Sequence, residues 1–462
     1  MATITLPGVP ATHGTHARRH RSAPYRRRPP RDLFIDLLRV GAIVVVVAQH
    51  WLMPVLAYDG ETLAAGNAFS ASSGWTITWA SQVMPLIFFA GGAAAAISLP
   101  GRWDCDGCTA ATTRGWLADR LHRLVAPVLP LAAVWLPLPV LLVAAGVPSQ
   151  PVQIAAELVG RLLWFLAAYL VLVVLTPVLL RARDRWRGAE VVVFALGAVG
   201  VDVLRFGWLD GAAWLGYANV LLVWGVVYQV GVHYGGGRRW AGRRCAAVAA
   251  AGLLATAVAV ATGPYPASMI GMPGEPLSNM NPPTAVLLAL AAAQLGGLLA
   301  VRPLLVQWAA RPPVTAMLGW VSRRMMTIYL WHTPALVLVA GVAVIGLGLT
   351  TPAPFSAQWR NAAPLWLAAL TAVLAVLVQL AVRFEAPVTT LPSGRGIVRL
   401  AAATALAGGG LLVLTIGGFG QHMRLWPLAA TLGVAAAVGL ASGRSHLPTG
   451  WVRAAGKASV EA

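Results

Sequence analysis

The chain has 462 residues, 58% of them hydrophobic and 11% charged, with a mean hydropathy of +0.72. A soluble domain carries about 25% charged residues, so the composition excludes one and leaves an all-α, polytopic membrane protein with apolar length for about ten to twelve spans. The formal net charge of +19 does not point to nucleic acid, because the basic residues lie in short loops between apolar runs, which is a topology signal.

The first thirty residues, including HGTHARRHRSAPYRRRPP, have no apolar core and no small-residue cleavage site. They read as a disordered basic tail that stays in the cytoplasm, with no cleaved signal peptide ahead of the first span. Apolar runs then predict spans at about 37–57, 79–99, 124–146, 158–180, 189–204, 214–233, 245–262, 283–301, 325–349, 363–382, 399–419 and 425–441. With these boundaries, 30 of the 34 Lys and Arg residues fall in the tails and alternate loops, and only Arg161, Arg205, Arg360 and Arg424 fall on the other side. One missed or invented span would scramble that alternation, so the pattern predicts twelve spans, both termini in the cytoplasm and a place in the cell membrane.

Chemistry enters in the first span, RDLFIDLLRVGAIVVVVAQHW (31–51). Arg39 and His50 are eleven residues apart, about three turns plus 20°, and so share one helix face about 16 Å apart along the axis. An ionisable group inside a span is costly and marks a functional hypothesis; a histidine bonded to a neighbouring helix for stability alone is the alternative. Asp36, three residues before Arg39, is placed to pair with it, and His50 can accept and return a proton near neutrality.

Arg120 and Arg123 in RLHRLVAP, at the expected cytoplasmic start of the third span, share a helix face and suit phosphate groups, which take two parallel hydrogen bonds from each guanidinium. Simple anchoring at a cytoplasmic edge would also explain them. Trp164 and several other tryptophans lie near span ends, where an interfacial belt is expected. In the turn-rich segment GPYPASMIGMPGEPLSNMNPPT (263–284), Glu275, Asn279 and Asn281 could meet a polar substrate or simply cap the eighth span. Tyr329 and His332, in YLWHTP, fall in the first turns of the ninth expected span, on its inner half. Glu385, in RFEAP, follows the tenth. Cys105 and Cys108 form a lone CxxC with no second pair to complete a metal site, so no metal is expected.

In order along the chain, these pieces resemble the acyltransferase family 3 membrane proteins. IDLLRVGAIVVVVAQHW is similar to that family's first span, with its arginine, ten intervening residues and histidine. MPLIFFAGG, RLHRLVAP, LLWFLAAYLV, IYLWHTP and FEAP are similar to its later signatures, so the resemblance covers about 31–388. It implies a ten-span core that takes an acyl group, often acetyl, from cytoplasmic acyl-CoA to a carbohydrate hydroxyl or another small molecule, with acetyl-CoA a co-substrate and no tightly bound cofactor. It further implies that His50 is the catalytic histidine, Arg39 its partner, and Arg120 and Arg123 contacts for the donor.

The expected order is therefore a tail over 1–30, the acyltransferase core over 31–388, two further spans within 389–445 and a cytoplasmic tail over 446–462. The two added spans and the lack of the soluble esterase-like domain of many relatives depart from the family pattern. A multi-span transporter or exporter is the competing reading, but it predicts internal repeats that the sequence does not display.

Overall fold

A computed structural model describes residues 31–71, 73–99, 109–208, 213–238, 240, 242–384, 396–420 and 425–442, and from Asp32 onward the chain forms one unit. Helix α1 (Leu33–Leu52) leads into a two-stranded hairpin, β1 (Pro54–Tyr58) and β2 (Leu63–Asn67). After α2 (Ile77–Ser81) come α3 (Met84–Ser98), α4 (Thr109–Val125), α5 (Val128–Trp135) and α6 (Leu138–Ala144). Next are α7 (Ser149–Arg161), α8 (Leu163–Trp186), α9 (Ala189–Val203), α10 (Asn219–Gly235) and α11 (Arg243–Thr262). The chain continues with α12 (Val286–Ala300), α13 (Arg302–Ala309), α14 (Pro312–Ala340), α15 (Ala357–Val382), α16 (Ile397–Gly417) and α17 (Leu425–Ser442).

Among the described residues, ten helical stretches are long and apolar enough to cross a membrane, or eleven if α12 and α13, bent by 63°, count as one span. The chain is thus an all-α polytopic bundle. The expectation of twelve exceeds this by one: the expected fifth span is helix α9, whose fifteen residues fall short of that length. Large apolar side chains such as Leu196, Leu254, Leu365 and Val376 are exposed, as a lipid solvent requires.

Helix α1 packs on α3, α13, α14 and α15, and α3 packs most closely on α10. That approach is backbone to backbone: a Cβ at Gly92 would meet the Tyr228 carbonyl oxygen, and one at Gly231 the Phe89 carbonyl oxygen. Gly231 and Gly235 are four apart on one face of α10, the small-residue spacing by which membrane helices come close. Helices α16 and α17 pack against α4, α5, α7 and α8. There the Phe419 amide donates to the Ala156 carbonyl at 3.1 Å, and Gly160 faces Gly418.

Three expected span boundaries move. The first span is Leu33–Leu52 rather than 37–57, because Pro54 has no amide to continue the helix and starts β1 instead. This puts His50 near the far end of α1. The ninth begins at Pro312, not 325, with two prolines in the first turn, where their missing amides cost nothing. His332 is therefore about 30 Å along α14 from Pro312, not in its first turns on the inner half. Around the third, α4 ends at Val125 before Pro127, so Arg120 and Arg123 close one helix instead of opening another.

The hairpin was not expected. Asp59 turns it by accepting from the Glu61 and Thr62 amides at 2.9 and 2.7 Å. Thr351, beyond α14, bonds Leu56 through both its amide and its hydroxyl, each at 2.9 Å. The segments that follow α1 and α14 are thereby laced together. The segment 263–284 is a cap: Asn279 is fully buried, donating to the Pro266 and Ser268 carbonyls and accepting from the Thr284 hydroxyl. The Asn279 side chain is thus taken up in bonds within the cap.

Candidate functional site

Two helices that share no local sequence bring their histidines together. His50 is two residues before Leu52, the last residue of α1, His332 lies within α14, and Nδ1 of the first is 2.9 Å from Nε2 of the second. The rings are 5.1 Å apart at their centres with 22° between their planes. The two differ in access. His332 is fully buried, whereas His50 is only half-buried.

The neighbours of the pair hold its register. The Trp51 indole donates to the His332 carbonyl at 2.9 Å, and the Trp366 indole of α15 donates to the Trp51 carbonyl at 2.8 Å. Tyr329, one turn before His332, donates its hydroxyl to the Leu162 carbonyl at 2.6 Å and sets its ring 5.4 Å from Phe165 in an edge-on contact. The Thr333 hydroxyl is 3.4 Å from His332 Nε2. Trp164, half-buried in the first turn of α8, meets Phe165 edge-on at 6.2 Å. From Phe165 a run of aromatic rings continues through Tyr169 and Phe88 to Trp224 and Tyr228 in the middle of the bundle.

At the other end of α3, Arg120 donates to Ser98 Oγ at 2.6 Å and lies over the Trp116 ring at 5.3 Å. Trp116 donates to the same Ser98 oxygen at 3.1 Å. Arg123 is instead paired with Asp119 on its own helix at 3.1 Å, and its side chain is 60% exposed. The two arginines that share a face in the sequence thus have different surroundings. Helix α3 is about 21 Å long by its fifteen residues, with Ser98 at one end and Met84 at the other, next to Val83, which clusters with Ala42 and Val46 of α1. Arg120 and His50 accordingly sit near opposite ends of the bundle.

Other sequence candidates stand apart from the histidines. Arg39 is half-buried and has no hydrogen-bond or ion-pair partner among the described residues, so the expected Asp36–Arg39 pair does not form. Asp32 ties the N-terminus of α1 to its neighbours. Its carboxylate caps the Phe34 amide at 3.0 Å and accepts from the Tyr234 hydroxyl at 3.1 Å, which in turn accepts from Arg302 at 2.8 Å. With about 16 Å of helix between them, Arg39 does not touch His50 either. Asn281 is exposed in the cap, its amide donating to Ser278 Oγ at 3.1 Å. Trp135 and Trp224 are buried core residues rather than members of an interfacial belt. Glu385, Cys105 and Cys108 lie outside the described residues. Among the described residues, no group of three or more His, Cys, Asp or Glu could hold a metal ion.

The model of the acyltransferase domain family matches residues 32–384. The chain belongs to acyltransferase family 3. The match begins at the Asp32 cap, takes in both histidines and Arg120, and ends before α16, so the last two helices stand outside the family's own domain. No curated protein and no solved structure matches the chain. The protein is a membrane-embedded acyltransferase.

Trp51, Trp366, Ser98 and Trp116 are among the members of this constellation that were not singled out in the sequence. The first had a visible signal, because each histidine has a tryptophan immediately beside it, in His50-Trp51 and Trp331-His332.

Proposed function

We propose that this acyltransferase moves an acyl group such as acetyl from cytoplasmic acyl-CoA to a hydroxyl of a carbohydrate or secondary metabolite, with His50 as the residue that meets the acceptor. The observation that carries the reading is the half-buried His50 held at 2.9 Å by the fully buried His332. Of the two residues His50 is the one that keeps exposed surface, so it is the one assigned to the acceptor.

Arg120, braced by Ser98 and Trp116, would take a phosphate of CoA on the arginine-rich side, with Arg123 at the rim. Arg39, a half-buried cation without a protein partner among the described residues, adds positive charge along the same half of α1. The pantetheine arm is comparable to an extended chain of about five residues, roughly 17 Å, against about 21 Å for α3. It would therefore bring the thioester most of the way along the aromatic run toward His50.

In the transfer, His50 removes the acceptor hydroxyl proton as the oxygen attacks the thioester carbonyl carbon. The tetrahedral oxyanion then collapses, the C–S bond breaks, and the departing thiolate takes the proton back from His50, leaving an ester and free CoA. A histidine that briefly carries the acyl group would use the same atoms in two steps. In this reading 31–388 forms the catalytic core, and α16 and α17 support it on the α4 and α8 side. The bundle sits in the cell membrane with both termini in the cytoplasm and the hairpin outside.

Radiolabelled acetyl-CoA supplied to membranes that contain the acceptor should label a membrane-extractable or secreted product. Uptake of substrate into sealed vesicles without any label transfer would instead favour an exporter.

A further inference from the structure

We infer that His332 is a positioning residue that holds His50 as its Nδ1–H tautomer and so puts the reactive lone pair on His50 Nε2. The inference rests on the acyl-transfer reading and sharpens it to one atom.

The argument starts at a group that can only accept. His332 Nδ1 is 2.5 Å from the Tyr329 carbonyl oxygen. Two lone pairs facing each other at that distance would repel, so His332 Nδ1 carries a hydrogen and donates it. A neutral imidazole has one N–H, which leaves a lone pair on His332 Nε2. A second proton would make a buried cation, and no carboxylate contacts the ring among the described residues; such a charge is expensive. His332 Nε2 therefore accepts, and the group facing it at 2.9 Å, His50 Nδ1, donates.

Orientation agrees with this order. The ring centres are farther apart than the facing nitrogens by about one ring width, and the planes differ by only 22°. The rings thus meet edge to edge, as an in-plane N–H···N bond requires, and not face on face. Thr333 Oγ1, at 3.4 Å, is the more distant neighbour of the same nitrogen. The Trp51 indole, bonded to the His332 carbonyl, fixes the residue after His50 against the same turn of α14.

The consequence is directional. The proton of the acceptor hydroxyl goes to His50 Nε2, the Nδ1–H stays where it is, and its bond to neutral His332 becomes charge-assisted once His50 is an imidazolium. A buried aspartate plays this part beside the histidine of a serine-protease triad, where losing the correct tautomer is far more damaging than losing a packing contact. A neutral histidine should give a smaller effect.

The test compares His332→Gln with His332→Leu. The glutamine oxygen can stand near the place of Nε2 and accept, whereas leucine fills similar space and cannot. Using radiolabelled acetyl-CoA and acceptor-containing membranes, we expect His332→Gln to keep its maximal rate within about tenfold of the parent. His332→Leu should lose roughly 100-fold, with KM for acetyl-CoA unchanged. Nitrogen NMR of histidine-labelled protein, with the His50 signals identified by their loss in His50→Asn, should find His50 protonated on Nδ1 in the parent. That readout needs no variant at position 332 to fold. Equal losses in the glutamine and leucine variants, an undiminished rate in His332→Leu, or an Nε2–H tautomer at His50 would each overturn the inference. If His50→Ala abolishes labelling while His332→Leu does not, only this inference fails. If His50→Ala labels normally, the acyl-transfer reading fails with it.

Discussion

Arg120 and Arg123 look equivalent in the sequence, and the structure separates them, which makes their relative importance a sharp prediction. Arg120 is braced by the Ser98 hydroxyl and the Trp116 ring, so a phosphate would find a guanidinium already oriented. A hydrogen bond to a charged group contributes about 1.5–3 kcal/mol, which converts to roughly 10- to 150-fold in affinity. Arg123 has a side chain that is 60% exposed and an ion pair with Asp119 to give up; exposed pairs are typically worth about 0.2–1 kcal/mol, or at most about fivefold. Arg120→Ala should therefore weaken equilibrium binding of radiolabelled acetyl-CoA to the purified protein by one to two orders of magnitude, and Arg123→Ala by less than about fivefold. Arg120→Lys, which keeps the charge but not the planar fork, should fall between them. Binding avoids the need for a known acceptor. Equal effects of the two alanine variants, or no effect of Arg120→Ala, would refute the donor assignment.

Further outcomes follow from packing and turns. Gly92→Ala and Gly231→Ala each place a methyl against a facing backbone carbonyl and should cost about 1–3 kcal/mol or more, seen as a lowered unfolding midpoint in detergent; an unchanged midpoint would contradict the close α3–α10 contact. Tyr329→Phe removes the bond to the Leu162 carbonyl and should destabilise by about 1 kcal/mol, measurable in the same melt. In the hairpin turn, the Thr62 and Glu61 amides and the Thr62 hydroxyl hold the Asp59 carboxyl well below its ordinary value of 3.8, at about 2. The lowered value means that the turn favours the ionised form. Its contribution is complete above the unfolded value and is lost as pH falls through about 2. The Thr62 amide should then titrate by NMR with a midpoint near 2, and a midpoint near 3.8 would show that the turn does not form.

The bundle was legible because lipid makes apolar length and arginine placement reliable signals, and helices such as Arg243–Thr262 and Leu425–Ser442 lie close to where the sequence puts them. The hairpin was not legible, since PVLAY and LAAGN carry neither a strict alternation nor an Asn-Gly turn, and Leu56 and Leu63 also bond to Thr351 and to the Gln150 side chain, 295 and 87 residues away. At the site, His50 and His332 were each visible as ionisable residues in apolar surroundings, but not their contact, which spans 282 residues. Starting the ninth span at 325 hid it. Reading Pro312-Pro313 as a helix start brings the two rings to matching heights along α1 and α14. The expected Asp36–Arg39 pair failed for the opposite reason: spacing of three residues permits a contact but does not select it.

The central claim is that His50 performs the transfer, and His50→Ala tests it most directly. Membranes containing the acceptor would be given radiolabelled acetyl-CoA, with equal amounts of parent or variant protein and equal unfolding midpoints checked in detergent. The account predicts that labelling falls to background while acetyl-CoA binding stays within about twofold of the parent, because on this proposal the donor's charged groups would be held near the far end of α3. A folded His50→Ala protein that labels its acceptor at the parental rate would contradict it.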